Sequence, residues 1–216
     1  MNYYLTEFDI LDTIYEIRNT ALTYFLRAVT LLGEGGIFWI ALTIVLMIIP
    51  KTRRLGFCCA AALAIEALCV NVILKPLINR TRPCFANKSR VIDTIVRVPD
   101  DSSFPSGHAG ASFAVSTVIA RHKLTYGIIS IITSVLISFS RLYFYVHYPT
   151  DVLTGAMIGI ITGVLMDKLV VYLLKKHDEK KLRTTGADEN AEIIAEEIEE
   201  EENEKATVSA HSHQNG

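Results

Sequence analysis

Residues 36–50 read GIFWIALTIVLMIIP, a run with no charged side chain. It is too long for a buried strand, and its apolar residues show no alternation. Residues Leu22 to Leu32 ahead of it are also apolar, interrupted by Arg27. Together the two stretches exceed the roughly 20 residues that cross a bilayer as a helix. Gly33, Gly35 and Gly36 predict a break or kink between them, and Lys51-Thr52-Arg53-Arg54 stops the run.

The same pattern recurs along the chain. Leu55 to Leu74 is a second span, broken by Glu66 and Asn71 and closed by Lys75. An ionisable residue at membrane depth is a functional candidate by default, but Glu66 is read here as a protected interhelical contact. Gly107 to Ala120 is a third span, ending at Arg121-His122-Lys123; its Ala, Ser and Gly content suits a helix packed inside a bundle. Leu124 to Ser140 is a fourth and Asp151 to Tyr172 a fifth, with Asp167 and Lys168 near its end, where they snorkel or pair. His122, beside a basic turn, is read as a structural hydrogen-bonding residue. The fold class is therefore all-α, a polytopic transmembrane bundle of five to six helices, and the location a cell membrane.

Composition agrees. Of 216 residues, 50% are hydrophobic, and the mean hydropathy is +0.33 despite an acidic tail. The net charge of −2 offers no global basic field for nucleic acid. Cys58, Cys59 and Cys69 lie in an apolar run and Cys84 in a polar loop; no CxxC pair exists, which disfavours zinc and thioredoxin-like readings. Met1 to Ile17 carries Glu7, Asp9, Asp12 and Glu16 among apolar residues, unlike a signal peptide. An amphipathic helix at the interface and a first helix packed on the bundle both fit it. From Lys175 the chain is polar, first basic and then acidic, and is expected to be a disordered tail over 175–216. His211-Ser212-His213 belongs to that tail and is not read as a metal site.

The basic clusters at Lys51/Arg53/Arg54, Arg121/Lys123 and Lys175/Lys176 fall on one side if each run crosses once. The positive-inside rule makes that side cytoplasmic. The opposite, outer side receives three polar clusters: Lys75 to Arg82-Pro83, Pro105-Ser106-Gly107-His108, and Ser140-Arg141 with His147 and Asp151. Arg80, Arg90 and Arg97 fall there too.

Those clusters suit phosphate chemistry. Arg82 and Arg141 offer forked, charge-assisted donors and Lys75 a point charge. Ser106, at the N-cap of a helical run, offers a hydroxyl, and Gly107 lets backbone amides approach an anion at the positive end of the helix dipole. Two imidazoles permit a two-step displacement: one attacks phosphorus, the other protonates the leaving oxygen and then activates water. His147 is the nucleophile candidate, because Asp151 four residues on can fix its tautomer; Pro149 suits the first turn of that helix. His108 suits the acid/base role. No metal is demanded: Asp93, Asp100 and Asp101 are read as loop acidity beside a cationic site.

The three clusters, KPLINRTRP over 75–83, PSGH over 105–108 and SRLYFYVHYPTD over 140–151, resemble the signature of the type 2 phosphatidic acid phosphatase family at every required position and spacing. The resemblance covers roughly Leu22 to Leu174. It implies a fold of the acid phosphatase/vanadium haloperoxidase type and metal-independent catalysis. His147 is then nucleophile, His108 acid/base and Asp151 orienting carboxylate, with Lys75, Arg82, Ser106, Gly107, His108 and Arg141 around the phosphate. It also implies a six-helix membrane core, whereas five spans plus an interfacial helix over 1–18 are expected here. Residues 1–174 would form the membrane-embedded domain and 175–216 a cytoplasmic tail.

The expected function is a lipid phosphatase without cofactor, acting on undecaprenyl diphosphate, phosphatidylglycerophosphate or phosphatidate. The small, simple architecture favours a bacterial enzyme recycling the polyprenyl carrier. The rival readings are a lipid phosphotransferase using the same site, a vanadium haloperoxidase, and a non-enzymatic lipid transporter. The spans disfavour the haloperoxidase, and the paired histidines disfavour the transporter.

Overall fold

The computed structural model describes residues 3–87, 98 and 100–214, with the backbone alone described over 3–6 and 186–214. Asp93, Arg90 and Arg97 lie outside the described residues. The chain divides into two units, 1–171 and 172–216. Every described regular element is helical.

Helix α1 spans Tyr3–Glu16 and α2 Thr20–Gly33, the latter capped by Asn19, whose side chain accepts from the Leu22 amide. The glycine break appears as expected. A short 3₁₀ turn, Glu34–Gly36, places Gly35 at φ 58° and Gly36 at φ 68°, a left-handed conformation that favours glycine, before α3 begins at Ile37 and runs to Ile48. Helix α4, Arg53–Ala67, passes into a π-helical segment, Leu68–Leu74, and the short α5, Lys75–Ile78. The short α6 covers Pro83–Ala86. Cys84, expected in a polar loop, is buried within it. Helices α7, Gly107–His122, and α8, Leu124–Tyr143, are joined at Lys123, and α9 starts at Pro149.

Four stretches among the described residues are long and apolar enough to cross a membrane: Thr20–Ile48, Arg53–Ala86, Leu124–Tyr143 and Pro149–Thr185. The expected third span, α7, is not one of them. It has 16 residues, about 24 Å at 1.5 Å per residue, and half of them are buried. Helix α7 is the inner element around which the others pack.

The first unit buries many polar side chains beside its apolar core and leaves many large apolar ones exposed. Ser112, Ser116, Ser134 and Ser138 are buried, while Ile40, Ile44, Ile128, Ile132, Met157 and Ile161 are exposed. Lipid tails are as apolar as isoleucine, so packing and interhelical hydrogen bonds of about 1 kcal/mol each must hold such a bundle. Trp39 Nε1 donates to Ser112 Oγ at 2.8 Å, joining α3 to α7, and Ser134 Oγ donates to Ser116 Oγ at 3.2 Å, joining α8 to α7. Gly155, Gly159 and Gly163 bring α9 against α7: a Cβ on them would lie 2.3, 2.3 and 2.8 Å from the carbonyl oxygens of Ser106, Gly110 and Ala114.

Helix α1 takes the packed alternative. Leu11 is buried with Tyr145 and Tyr148, and Phe8 lies 5.5 Å from the Tyr148 ring centroid. Helix α9 runs on through the second unit as far as Gln214. The segment has no proline to break it, and Lys175 and Glu179 stand 4.0 Å apart at i,i+4.

Candidate active site

The three motifs meet at one end of the first unit. Lys75, Arg82, Gly107, His108 and His147 line one cavity of about 300 Å³, which extends past Glu66 and Asn71. His108 and Arg141 line a second cavity of about 360 Å³ with Asp100 and Asp101; both cavities share His108 and Gly35. The glycine break is part of the site. A Cβ on Gly33 would lie 2.7 Å from His108 Cδ2, so only glycine lets α2 come this close to that ring.

Arg82 is almost fully buried. Its Nη1 donates to the Val146 carbonyl at 3.0 Å and to His147 Nε2 at 3.2 Å; its Nε donates to the Asp101 carbonyl at 3.0 Å and its Nη2 to the Asp101 carboxylate at 2.6 Å. The other Asp101 oxygen accepts from Lys75 Nζ at 2.5 Å. Loop acidity beside the cations was the sequence reading of Asp101, and its carboxylate indeed occupies them. Although burial pushes that carboxyl up, Lys75 and Arg82 hold it below the ordinary aspartate range.

His147 lies just ahead of α9, and the hydrogen bonds around it define its tautomer. Nδ1–H donates to the Ser103 carbonyl at 2.7 Å, leaving Nε2 as the acceptor that faces Arg82. Asp151 Oδ2 stands 3.5 Å from Nδ1 and accepts the Tyr148 amide at 2.8 Å, as the third residue of a helix does when it closes back on the N-cap. The Ser103 carbonyl is thus the direct partner of the ring, and Asp151 supports it from further off. Burial, then Arg82, Arg141 and Lys75, hold the imidazole well below the ordinary histidine range, so it is neutral.

Three motif atoms are buried with no hydrogen-bond partner among the described residues: Ser106 Oγ, His108 Nε2 and Arg141 Nε. Ser106 takes the N-cap position of α7, yet its hydroxyl makes no cap bond, contrary to the expected dual role. Arg141 Nη1 donates to Thr30 Oγ1 at 2.8 Å. The first amides of α7 have no intrahelical acceptor and add donors at this point. A buried polar atom without a partner costs about 1–3 kcal/mol. Three of them beside two buried arginines and a lysine make a receptor for an anion rich in oxygens.

The same residues define what the chain is similar to. Residues 51–175 match the family model described as the PAP2 superfamily. The chain belongs to the PAP2 superfamily. Its match to an undecaprenyl-diphosphatase of Sulfolobus acidocaldarius is 34% identical over 124 residues, covering 56% of this chain and 58% of that relative. Among solved structures, Aquifex aeolicus LpxE matches with a TM-score of 0.66 and 29% identity, over 74% of this chain and 94% of that one. A transmembrane PAP2-type phosphatidylglycerolphosphate phosphatase from Bacillus subtilis matches at 0.62 and 27%, over 83% and 88%. This PAP2 chain is thus a multi-pass, all-helical membrane protein.

Several residues that brace the PAP2 site carried no signal in the motifs. Arg80 Nη1 donates to Asp151 Oδ1 at 2.6 Å and to Thr150 Oγ1 at 2.8 Å, and its Nη2 pairs with Glu7. Glu7 is 4% exposed and also accepts from Thr150 Oγ1 at 2.6 Å, so α1 closes onto the start of α9. Arg80 lies 3.9 Å from the Tyr148 ring centroid, a cation–π contact. Its sequence clues were its place two residues before Arg82 and on the same side as the three clusters.

Proposed function

We propose that this chain is a lipid phosphate phosphatase that works through a phosphohistidine on His147. The three partnerless atoms of Ser106, His108 and Arg141 carry the reading: a phosphoryl group supplies an acceptor for each donor. Lys75, Arg82 and Arg141 neutralise its charge, and bound phosphate displaces Asp101 from the first two.

In the first step the Nε2 lone pair of His147 attacks phosphorus and the bond to the lipid oxygen breaks. Arg82 Nη1 turns from Nε2 to a phosphoryl oxygen as this happens. His108, which burial and then Arg141, His147, Lys75 and Arg82 hold well below the ordinary histidine range, takes up a proton alongside the incoming phosphate dianion and passes it to the leaving oxygen. In the second step His108 takes a proton from water, the hydroxide oxygen bonds to phosphorus, and the phosphorus–nitrogen bond breaks. Phosphate leaves and both histidines return to their starting states. Asp151 and the Ser103 carbonyl hold the His147 ring and offset its positive charge in the intermediate. No step uses a metal.

The substrate class is a membrane lipid ending in a phosphate or diphosphate, which includes polyprenyl diphosphates, phosphatidylglycerophosphate and phosphatidate. The placement of basic clusters at the far helix ends supports a site on the outer face and a cytoplasmic C-terminus. The test is phosphate release from a panel of lipid phosphates in detergent, with and without chelator. Release unaffected by chelator, and lost in His147→Ala, is expected; loss on chelation contradicts the metal-free route.

A further inference from the structure

The proposed chemistry leaves one buried acid unused. Glu66 lies on α4 and is 2% exposed, and its Oε1 has no hydrogen-bond partner among the described residues. It sits in the wall of the same cavity as Lys75, His108 and His147. Gly110, half a turn beyond His108 on α7, makes the room: a Cβ there would fall 2.0 Å from Glu66 Oε1. Immediately after α4 the helix widens to its π-helical turn, a deviation frequent at functional sites. That turn carries Asn71, which also lines the cavity. The rest of the wall around Glu66 is small or apolar, with Gly36, Ile40, Leu63, Ala67 and Ala111.

An acceptor in such a wall is costly when unmet and selective when met. An interhelical role alone would be served by Gln or Leu, or by a serine as elsewhere in this bundle. We infer that Glu66 is a specificity residue that accepts a hydrogen bond from a hydroxyl on the substrate, close to its phosphate. This rests on the phosphatase reading and narrows it to phosphorylated lipids with a polyol head, glycerol or sugar, over those whose phosphate sits on a bare chain. A site built to hydrogen-bond a substrate hydroxyl discriminates strongly against the analogue without one, because its own polar group is then left unpaired.

The experiment uses the full chain in detergent and two lipids differing only in that hydroxyl: a 1-acylglycerol 3-phosphate and the matching 1-acylpropanediol 3-phosphate. Polyprenyl diphosphate serves as the control. Wild type is expected to favour the hydroxylated lipid at least about tenfold in kcat/KM. Glu66→Leu should bring the ratio to near one by losing the hydroxylated substrate alone, and Glu66→Gln, which keeps a carbonyl acceptor, should retain part of it. Equal wild-type rates on the pair overturn the inference and leave the phosphatase standing. So does a preference that survives Glu66→Leu. Release from none of the three lipids sinks the phosphatase reading, and the subsite with it.

Discussion

The first unit carries an arginine, a histidine and an aspartate at each of its two ends, and the ends differ in what is left over. Near the start of α4 and the end of α7, Asp167 accepts from Arg121 Nε and pairs with His122 Nε2, each at 2.6 Å. Both oxygens of that carboxylate are used, and the cluster closes on itself. At the other end the acids nearby do not meet every donor of Arg141, Ser106 and His108 among the described residues. Asp101 is 45% exposed there, and three donor-capable atoms are without a partner among the described residues. The residue types are the same; unmet buried donors make one end a receptor, while balance makes the other a clasp.

That contrast breaks most sharply at His147. His147→Ala should lower kcat by at least about 10³-fold, a loss typical of a removed nucleophile. Thermal unfolding and elution volume check that the variant is folded. His122→Ala, at the closed end, should leave kcat within about twofold, since that ring touches no reacting atom.

Arg80 sharpens the comparison, because it reaches the open end without lining it. Arg80→Ala should lower kcat about 10²-fold with KM little changed, the cost of letting Asp151 and His147 shift. Arg80→Lys should restore part of the rate, and Glu7→Gln should cost less, about three- to tenfold. An equal rise in KM in all three would mark Arg80 as a substrate contact instead.

The pH profile bears on the open end directly. His147 is neutral in the folded protein with its titration pushed below the ordinary 6.5. Its nucleophile should therefore survive acidification to pH values well under 6.5. The sign for stability is the opposite of a gain: the unfolded chain takes up a proton on this residue below about 6.5 while the folded chain does not. The His147 contribution to stability is thus present above that pH and lost as pH falls through it. A urea titration of wild type against His147→Ala, at neutral and acid pH, checks this.

The smallest effect belongs to the clasp. Asp167→Asn should destabilise by about 0–1 kcal/mol, since its partners Arg121 and His122 are 38% and 32% exposed, and leave kcat/KM unchanged. A fall in kcat there would mean the two ends are coupled.

The sequence disclosed whatever depends on local spacing. The glycine break at Gly35 and Gly36, the α9 start at Pro149 and the motif residues around the cavity were all legible, because each rests on neighbours within a turn or a loop. The pairing of His122 and Asp167 was half legible, since both stand at span ends. Arg80 with Glu7 was not: they are 73 residues apart and meet only because α1 packs beside Tyr145 and Tyr148. Nor was the Ser103 carbonyl, a backbone group that no residue type announces. That α7 packs inside the bundle was legible in its Ala, Ser and Gly content, while its shortness, 16 residues, was not.

The central claim is a double displacement through His147, and the stereochemical course at phosphorus tests it most directly. A lipid thiophosphate made chiral with oxygen isotopes is hydrolysed in isotopically labelled water and the configuration of the product is read. Two in-line displacements, one by His147 and one by water, give net retention. Net inversion would mean that water attacks the substrate itself and that His147 has another role.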